Sequence, residues 1–269
     1  MKKIIALLLA LVLVLAFAGC GAKETASTGS DNQSSADNTA ATVTTVKAGK
    51  LTMATNAYFQ PYEYYDGDKI VGIDAEIAAA IAEKLGLELE IQDMAFDSII
   101  TAVQEGSVDI GLAGMTVKPD RLEKVDFSIS YANGVQVVIV PENSAITTVD
   151  DLFADGATYK AGVQLGTTGD AYASEDLGSD RVTQYPNGNE AVNALLGGDV
   201  DCVIIDNEPA KSFVANNEGL KIRKTTYADE DYAACIKKGN KALLEAVDKA
   251  IDELMSDGTI DGIIAKYIK

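Results

Sequence analysis

Two stretches of this chain, AVQEGSVDIGLAG from Ala102 and ALLGGDVDCVIID from Ala194, share one plan, and that plan narrows the fold more than any other feature. Each carries the end of a helix, a glycine, one further residue, Val-Asp, an apolar strand and then a break. Around the first copy, short apolar runs alternate with amphipathic ones. KLTMATN is expected as a strand ending in a polar loop. In IDAEIAAAIAEKLG the residues Ile73, Ile77, Ile81 and Leu85 recur every four positions, so a helix is expected there, with Asp74 as its cap and Gly86 as its stop. LELEIQDM alternates as a strand, Asp97 opens a second helix that ends on Gly106, and VDIGLAG is the next strand. Strand, helix, strand, helix, strand marks an α/β lobe with a mainly parallel sheet, and the echo in the second half predicts two such lobes.

Ligands of open α/β sheets sit beyond the carboxyl ends of the strands. When the two stretches are aligned, Gly114 falls opposite Asp206, so the Gly114 to Arg121 corner and Asp206 are expected on opposite walls of one cleft. A fixed positive group facing a fixed negative one, both partly desolvated, complements a zwitterion, and free amino acids are the obvious zwitterions. The apolar run from Val135 to Pro141 is expected to leave the first lobe and enter the second. YAACIKKGN returns, and the amphipathic C-terminal segment closes against the first lobe. The expected division is 50–131 and 234–269 for the first lobe and 135–230 for the second. Two crossings make a hinge, and a hinged cleft can close around its ligand.

Charge and composition prune the alternatives. With 22 Lys+Arg against 41 Asp+Glu the formal net charge is −19, which argues against nucleic acid as a partner, because phosphate binding needs a basic face. Histidine is absent, which removes Ser-His-Asp and Cys-His nucleophile systems and most zinc sites, so neither a metal nor a cofactor is expected. Cys202 and Cys235 lie in VDCVIIDN and YAACIK. They are expected as small buried hydrophobes in preference to a long-range disulfide.

Residues 1–20 begin with Lys2 and Lys3 and run apolar from Ile4 to Ala18, short for a membrane span and right for a secretory signal. Ala16-Phe17-Ala18 offers an ordinary cleavage site. AFAGC resembles the lipobox of bacterial lipoproteins, in which Cys20 becomes the lipidated first residue, and this is the preferred outcome. The segment 21–49 is rich in Ser, Thr, Ala, Asn, Asp and Gly and is expected as a flexible tether with a reach of roughly 27 Å. The folded body would then sit at the outer face of the bacterial cytoplasmic membrane. No later run of about 20 apolar residues suggests a membrane span.

Four segments, in order, resemble the extracellular solute-binding proteins of polar amino-acid ABC importers, family 3. They are GIDAEIAAAIAEKL, GMTVKPDRLEKVDFS, GVQLGTTGD and DCVIIDN, and the resemblance runs from about Leu51 to the C-terminus. It implies a two-lobed periplasmic-binding-protein-like fold, each lobe a mainly parallel sheet flanked by helices and joined by a two-strand hinge. It implies that Arg121 pairs with the ligand carboxylate, aided by the Thr116 hydroxyl and the backbone at Ala113 and Gly114. The segment Gly166-Thr167-Thr168 opens a helix whose amides add donors to the same carboxylate. Asp206 takes the ammonium, Phe59 and Phe96 wall the side chain, and Asn56 and Gln164 lie near its tip. Many members carry aspartate where this chain has Asn56. That leans the expectation towards a neutral polar amino acid, although Glu63 and Asp97 lie nearby in sequence and could supply charge.

The implied function is a monomeric binding lipoprotein that captures a polar amino acid and delivers it to an ABC permease and its ATPase partner, with no enzymatic activity. The alternative is a periplasmic enzyme on the same frame, similar to the cyclohexadienyl dehydratases. It needs a carboxylic acid of raised pKa aimed at a leaving group, and the motifs mark none.

Overall fold

The computed structural model describes residues 43–225 and 230–269; the apolar leader, Cys20 and residues 21–42 lie outside the described residues. The first lobe begins with β1 (Lys50–Thr55), followed by a small ribbon of β2 (Tyr58–Phe59), β3 (Glu63–Asp66) and β4 (Lys69–Val71). Next come α1 (Ile73–Leu85), β5 (Glu88–Asp93), α2 (Phe96–Glu105), β6 (Ile110–Gly111), the short α3 (Pro119–Leu122) and β7 (Val125–Gly134). The second lobe holds β8 (Gln136–Pro141), β9 (Ala161–Gln164), α4 (Thr168–Leu177), β10 (Val182–Tyr185), α5 (Gly188–Gly197), β11 (Cys202–Asp206), α6 (Asn207–Asn216) and β12 (Leu220–Arg223). The chain then returns through β13 (Glu230–Lys237) and ends in α7 (Lys241–Ser256) and α8 (Thr259–Tyr267).

The two main sheets are built alike. In the first the order is β5-β1-β6-β13-β7, and in the second β10-β9-β11-β8-β12. In each, three parallel strands are followed by one antiparallel strand and an edge strand that pairs with it. The antiparallel members are the hinge strands: β8 opens the second lobe directly after β7, and β13 is where the chain re-enters the first. Their compositions reflect burial. Every residue of β8 from Gln136 to Val140 is buried, so a run of Val and Ile replaces the alternation of a half-exposed strand.

Each sheet is covered on both faces. One core extends from α1, β1, α7 and α8 through the hinge to β8, α5 and β11. A second lies between α4 and the other face of the second sheet, and a third between α2 and the first sheet. Burial of these aliphatic side chains, worth about 1.5–3 kcal/mol each, is what holds the carboxyl ends of β6 and β11 in place. Cys202 and Cys235 are free and buried, with burial pushing both thiols up to about 12. Among the described residues no helix is long and apolar enough to cross a membrane.

Two expectations need correction. Asp74 does not cap α1: Gly72 stands at the cap, and Asp74 turns inward, where its Oδ2 accepts from the Gly114 amide (2.7 Å) and the Tyr131 hydroxyl (2.9 Å). A helical side chain leans back over the preceding turn, which here faces the core. Asp97, expected to open α2, lies in its first turn, one residue after the start at Phe96. The final residues of the expected tether are attached to the body. Val43 packs against the core, the Val46 amide donates to Asp109 Oδ1 at 2.7 Å, and Lys47 pairs with Glu90.

Candidate functional site

Between the lobes lies a narrow pocket lined by Asn56, Phe59, Glu63, Phe96, Ala113, Gly114, Thr116, Arg121, Gln164, Thr167, Thr168 and Asp206. All eleven residues expected from sequence come together here. Glu63 is the addition.

Arg121 sits at the start of the site in α3, only 4% exposed. Its Nη1 donates to the Thr116 carbonyl (2.8 Å), its Nη2 donates to the Gly166 carbonyl of the other lobe (3.0 Å), and its guanidinium lies 5.4 Å from the Phe96 ring centre. Among the described residues it makes no ion pair. Burial therefore lowers its pKa, and a buried cation with unused donors calls for an anion. Gly114, three residues beyond the end of β6, has φ +52°, and a Cβ there would lie 2.7 Å from the Phe59 ring. Only glycine brings the backbone this close to the aromatic wall.

The opposite wall begins at Gly166. Its φ is +79°, and a Cβ would approach the Asp97 Cβ of the first lobe to 3.0 Å. Thr167 caps α4, accepting from the Asp170 amide at 3.2 Å and donating to the Gln164 carbonyl at 2.8 Å. The Gln164 amide donates to Asn56 Oδ1 (2.9 Å) while Asn56 Nδ2 donates to the Met94 carbonyl (2.8 Å). Asn56 thus ties one lobe to the other rather than standing free for a ligand.

Asp206 ends β11, buried, with the Tyr232 hydroxyl donating to its Oδ1. Burial first, and then the charge of Glu230, push its pKa up to about 7. A cation arriving at this carboxylate would restore the charged form.

Glu63 begins β3 and is fully buried; it shares a side-chain hydrogen bond with Asp74, and no N–H or alcohol donates to its carboxyl oxygens. Desolvation, reinforced by neighbouring Asp74, holds its pKa well above the carboxylate range. In Asp74 burial outweighs the Gly114 and Tyr131 hydrogen bonds, so its pKa also rises, to about 6. The sequence named Glu63 only as a nearby charge; its place in the wall depends on how the β2-β3 ribbon folds over the cleft. Glu230, Gln136 and Tyr232 were not anticipated at all. The Thr116 hydroxyl, expected to help with a ligand carboxylate, donates instead to Glu230 at 3.0 Å. Among the described residues no cluster of metal-ligating side chains is found.

The model of the bacterial extracellular solute-binding proteins, family 3, matches residues 51–269. The arginine-binding extracellular protein ArtP of Bacillus subtilis is 31% identical over 99% of this chain and 98% of its own length. An ancestral arginine-binding protein, solved bound to glutamine, is 38% identical with a TM-score of 0.77, over 82% of this chain and 99% of its own. The ancestral amino acid-binding protein AncCDT-1, described as a precursor of cyclohexadienyl dehydratase, is 31% identical with a TM-score of 0.74, over 82% and 96%.

Proposed function

This chain belongs to the bacterial extracellular solute-binding proteins of family 3, and from that premise we propose that it captures a free amino acid with a cationic side chain and delivers it to the permease and ATPase of an ABC importer. The ligand carboxylate meets Arg121 and the α4 amides, and the ammonium meets Asp206. Phe59 and Phe96 wall the side chain. Its cationic end meets Glu63.

The observation that carries the cationic reading is the pair of buried acids at this wall: Glu63 shares a hydrogen bond with Asp74 and takes none from any N–H or alcohol. Two adjacent buried carboxyls do not both ionise cheaply, which keeps Glu63 protonated, and a guanidinium or ammonium group entering the pocket would offset the cost of its charged form. The sequence leaned towards a neutral side chain on the strength of Asn56, but both ends of that amide are occupied by Gln164 and Met94. The arginine-binding relatives support the revised reading. Calorimetric titration of ligand-stripped protein against L-arginine, L-lysine, L-histidine and L-glutamine tests it. One-to-one binding that favours the cations, with Glu63→Gln losing that preference, is the expected result. Preference for glutamine that Glu63→Gln leaves untouched would remove the cationic assignment, and silence across the panel would remove the amino acid.

A second reading, the dehydratase, has one observation in its favour: Glu63 is a carboxylic acid of raised pKa inside a closed pocket, as a general acid must be. The likeness to AncCDT-1 gives it context. Incubation with a prephenate-type substrate should yield no aromatic product if binding is the whole function. Anchoring through lipid on Cys20 and a monomeric state complete the proposal. Fatty-acid labelling that Cys20→Ser abolishes, and a monomer mass by light scattering, are the expected results.

A further inference from the structure

Glu230 stands at the first residue of the returning hinge strand, buried, and one of its oxygens collects hydrogen bonds from both lobes. Oε2 accepts from the Thr116 hydroxyl (3.0 Å) of the first lobe, and from the Thr168 hydroxyl (2.9 Å) and Gln136 Nε2 (3.1 Å) of the second. Gln136 Nε2 also donates to Thr168 Oγ1 at 3.0 Å. Tyr172 is a further side-chain hydrogen-bond partner of Glu230. Two of these partners, Thr116 and Thr168, line the ligand pocket.

We propose that Glu230 is a positioning residue that sets the hydrogen-bond polarity of the pocket and latches the lobes shut. A carboxylate only accepts, so both threonine hydroxyls must spend their single proton on it. Towards the pocket they then show lone pairs alone: two on Thr116, and one on Thr168, which already accepts from Gln136. Lone pairs attract the donor end of an amino acid, its ammonium, and repel its carboxylate. The carboxylate is thereby left to Arg121 and the ammonium is drawn to the side where Asp206 stands, which fixes the ligand in one orientation. The same three hydrogen bonds can form only while the lobes meet, so the polarity is assembled by closure itself.

This inference rests on the amino-acid reading above, and the test separates the two. Binding of L-arginine and L-glutamine is measured calorimetrically for wild type, Glu230→Ala, Thr116→Val and the double variant. If wild type binds neither, the amino-acid reading fails before this one is reached. Given wild-type binding, Glu230→Ala is expected to weaken it about tenfold or more, the scale of a charged hydrogen bond. In the Thr116→Val background the same change should cost clearly less than in wild type, because one of the two hydroxyls through which Glu230 acts is already gone. Equal losses in both backgrounds would indicate a merely structural role and overturn the proposal. Glu230→Gln keeps an acceptor oxygen for the hydroxyls and is expected to stay within about threefold of wild type. A Gln variant as weak as Ala, with an unchanged melting curve, would overturn it as well, and this arm stands even where Glu230→Ala does not fold.

Discussion

The ends of β6 and β11 occupy the same place in two sheets of the same plan, the third of three parallel strands beside an antiparallel hinge strand. The segments that leave these two strands differ. After β6 the chain passes through Ala113 and the left-handed Gly114 to Thr116 and then Arg121, offering close backbone and one buried cation. β11 ends directly on Asp206, a buried anion. A duplicated geometry thus becomes a polar cleft because one position differs in sign. Neither charge has its full partner within its own lobe: burial lowers the pKa of Arg121 and raises that of Asp206 to about 7. Each wall alone is an unstable arrangement of buried charge, and together with a zwitterion they are neutral.

Removing the cation breaks the comparison most severely. Arg121→Ala should cost about 2–5 kcal/mol of binding, the range for deleting one member of a desolvated charge pair. Calorimetry showing wild-type affinity would sink the clamp assignment.

The anion can be tested by pH without a substitution. Its folded pKa is raised from 3.8 to about 7, so the ligand-free protein gains stability from this group at acid pH and loses it as pH rises through about 7. Binding runs the opposite way, because the ammonium needs the ionised form. Affinity for L-glutamine, whose neutral side chain does not require ionised Glu63, should fall roughly tenfold for each unit below pH 7 and level off above it. Titrations between pH 5 and pH 8 check this, and Asp206→Asn should flatten both profiles. At alkaline pH the same substitution should cost about 1.5 kcal/mol, less than Arg121→Ala, since an amide still accepts a hydrogen bond.

The smallest expected effect sharpens the comparison at the seam. Gly166→Ala places a Cβ at φ +79° and 3.0 Å from Asp97 across the cleft. About 1 kcal/mol should be lost in binding, since left-handed backbone is strained for alanine. Scattering curves in saturating ligand should show a less closed particle, and an unchanged affinity would show that the lobes adjust at no cost.

Much of the frame was legible because it is written locally. Apolar spacing located α1, the glycines at Gly86 and Gly106 stop their helices in left-handed conformation, and the repeated Gly-x-Val-Asp placed β6 and β11 in equivalent positions. Asp74 was misjudged for the same local reason: an acid near a helix start suggests a cap, and nothing in the neighbouring residues says that its side chain turns into the core. Glu63 was marked only as a nearby source of charge, and its burial was not readable from an acid among tyrosines. Glu230 carried no signal, since an acid before a strand suits an exposed position.

By itself the sequence determined the two-lobed α/β plan, the opposed Arg121 and Asp206, and the absence of histidine chemistry, since periodicity, charge and residue type are properties of the chain read in order. Only the tertiary structure decided that Asn56 is spent on Gln164 and that Glu63 is buried against Asp74. It also decided that one oxygen of Glu230 gathers Thr116, Gln136 and Thr168 from two lobes. Desolvation and hydrogen-bond partnership depend on which distant segments close over a side chain, and that is settled when the lobes pack together.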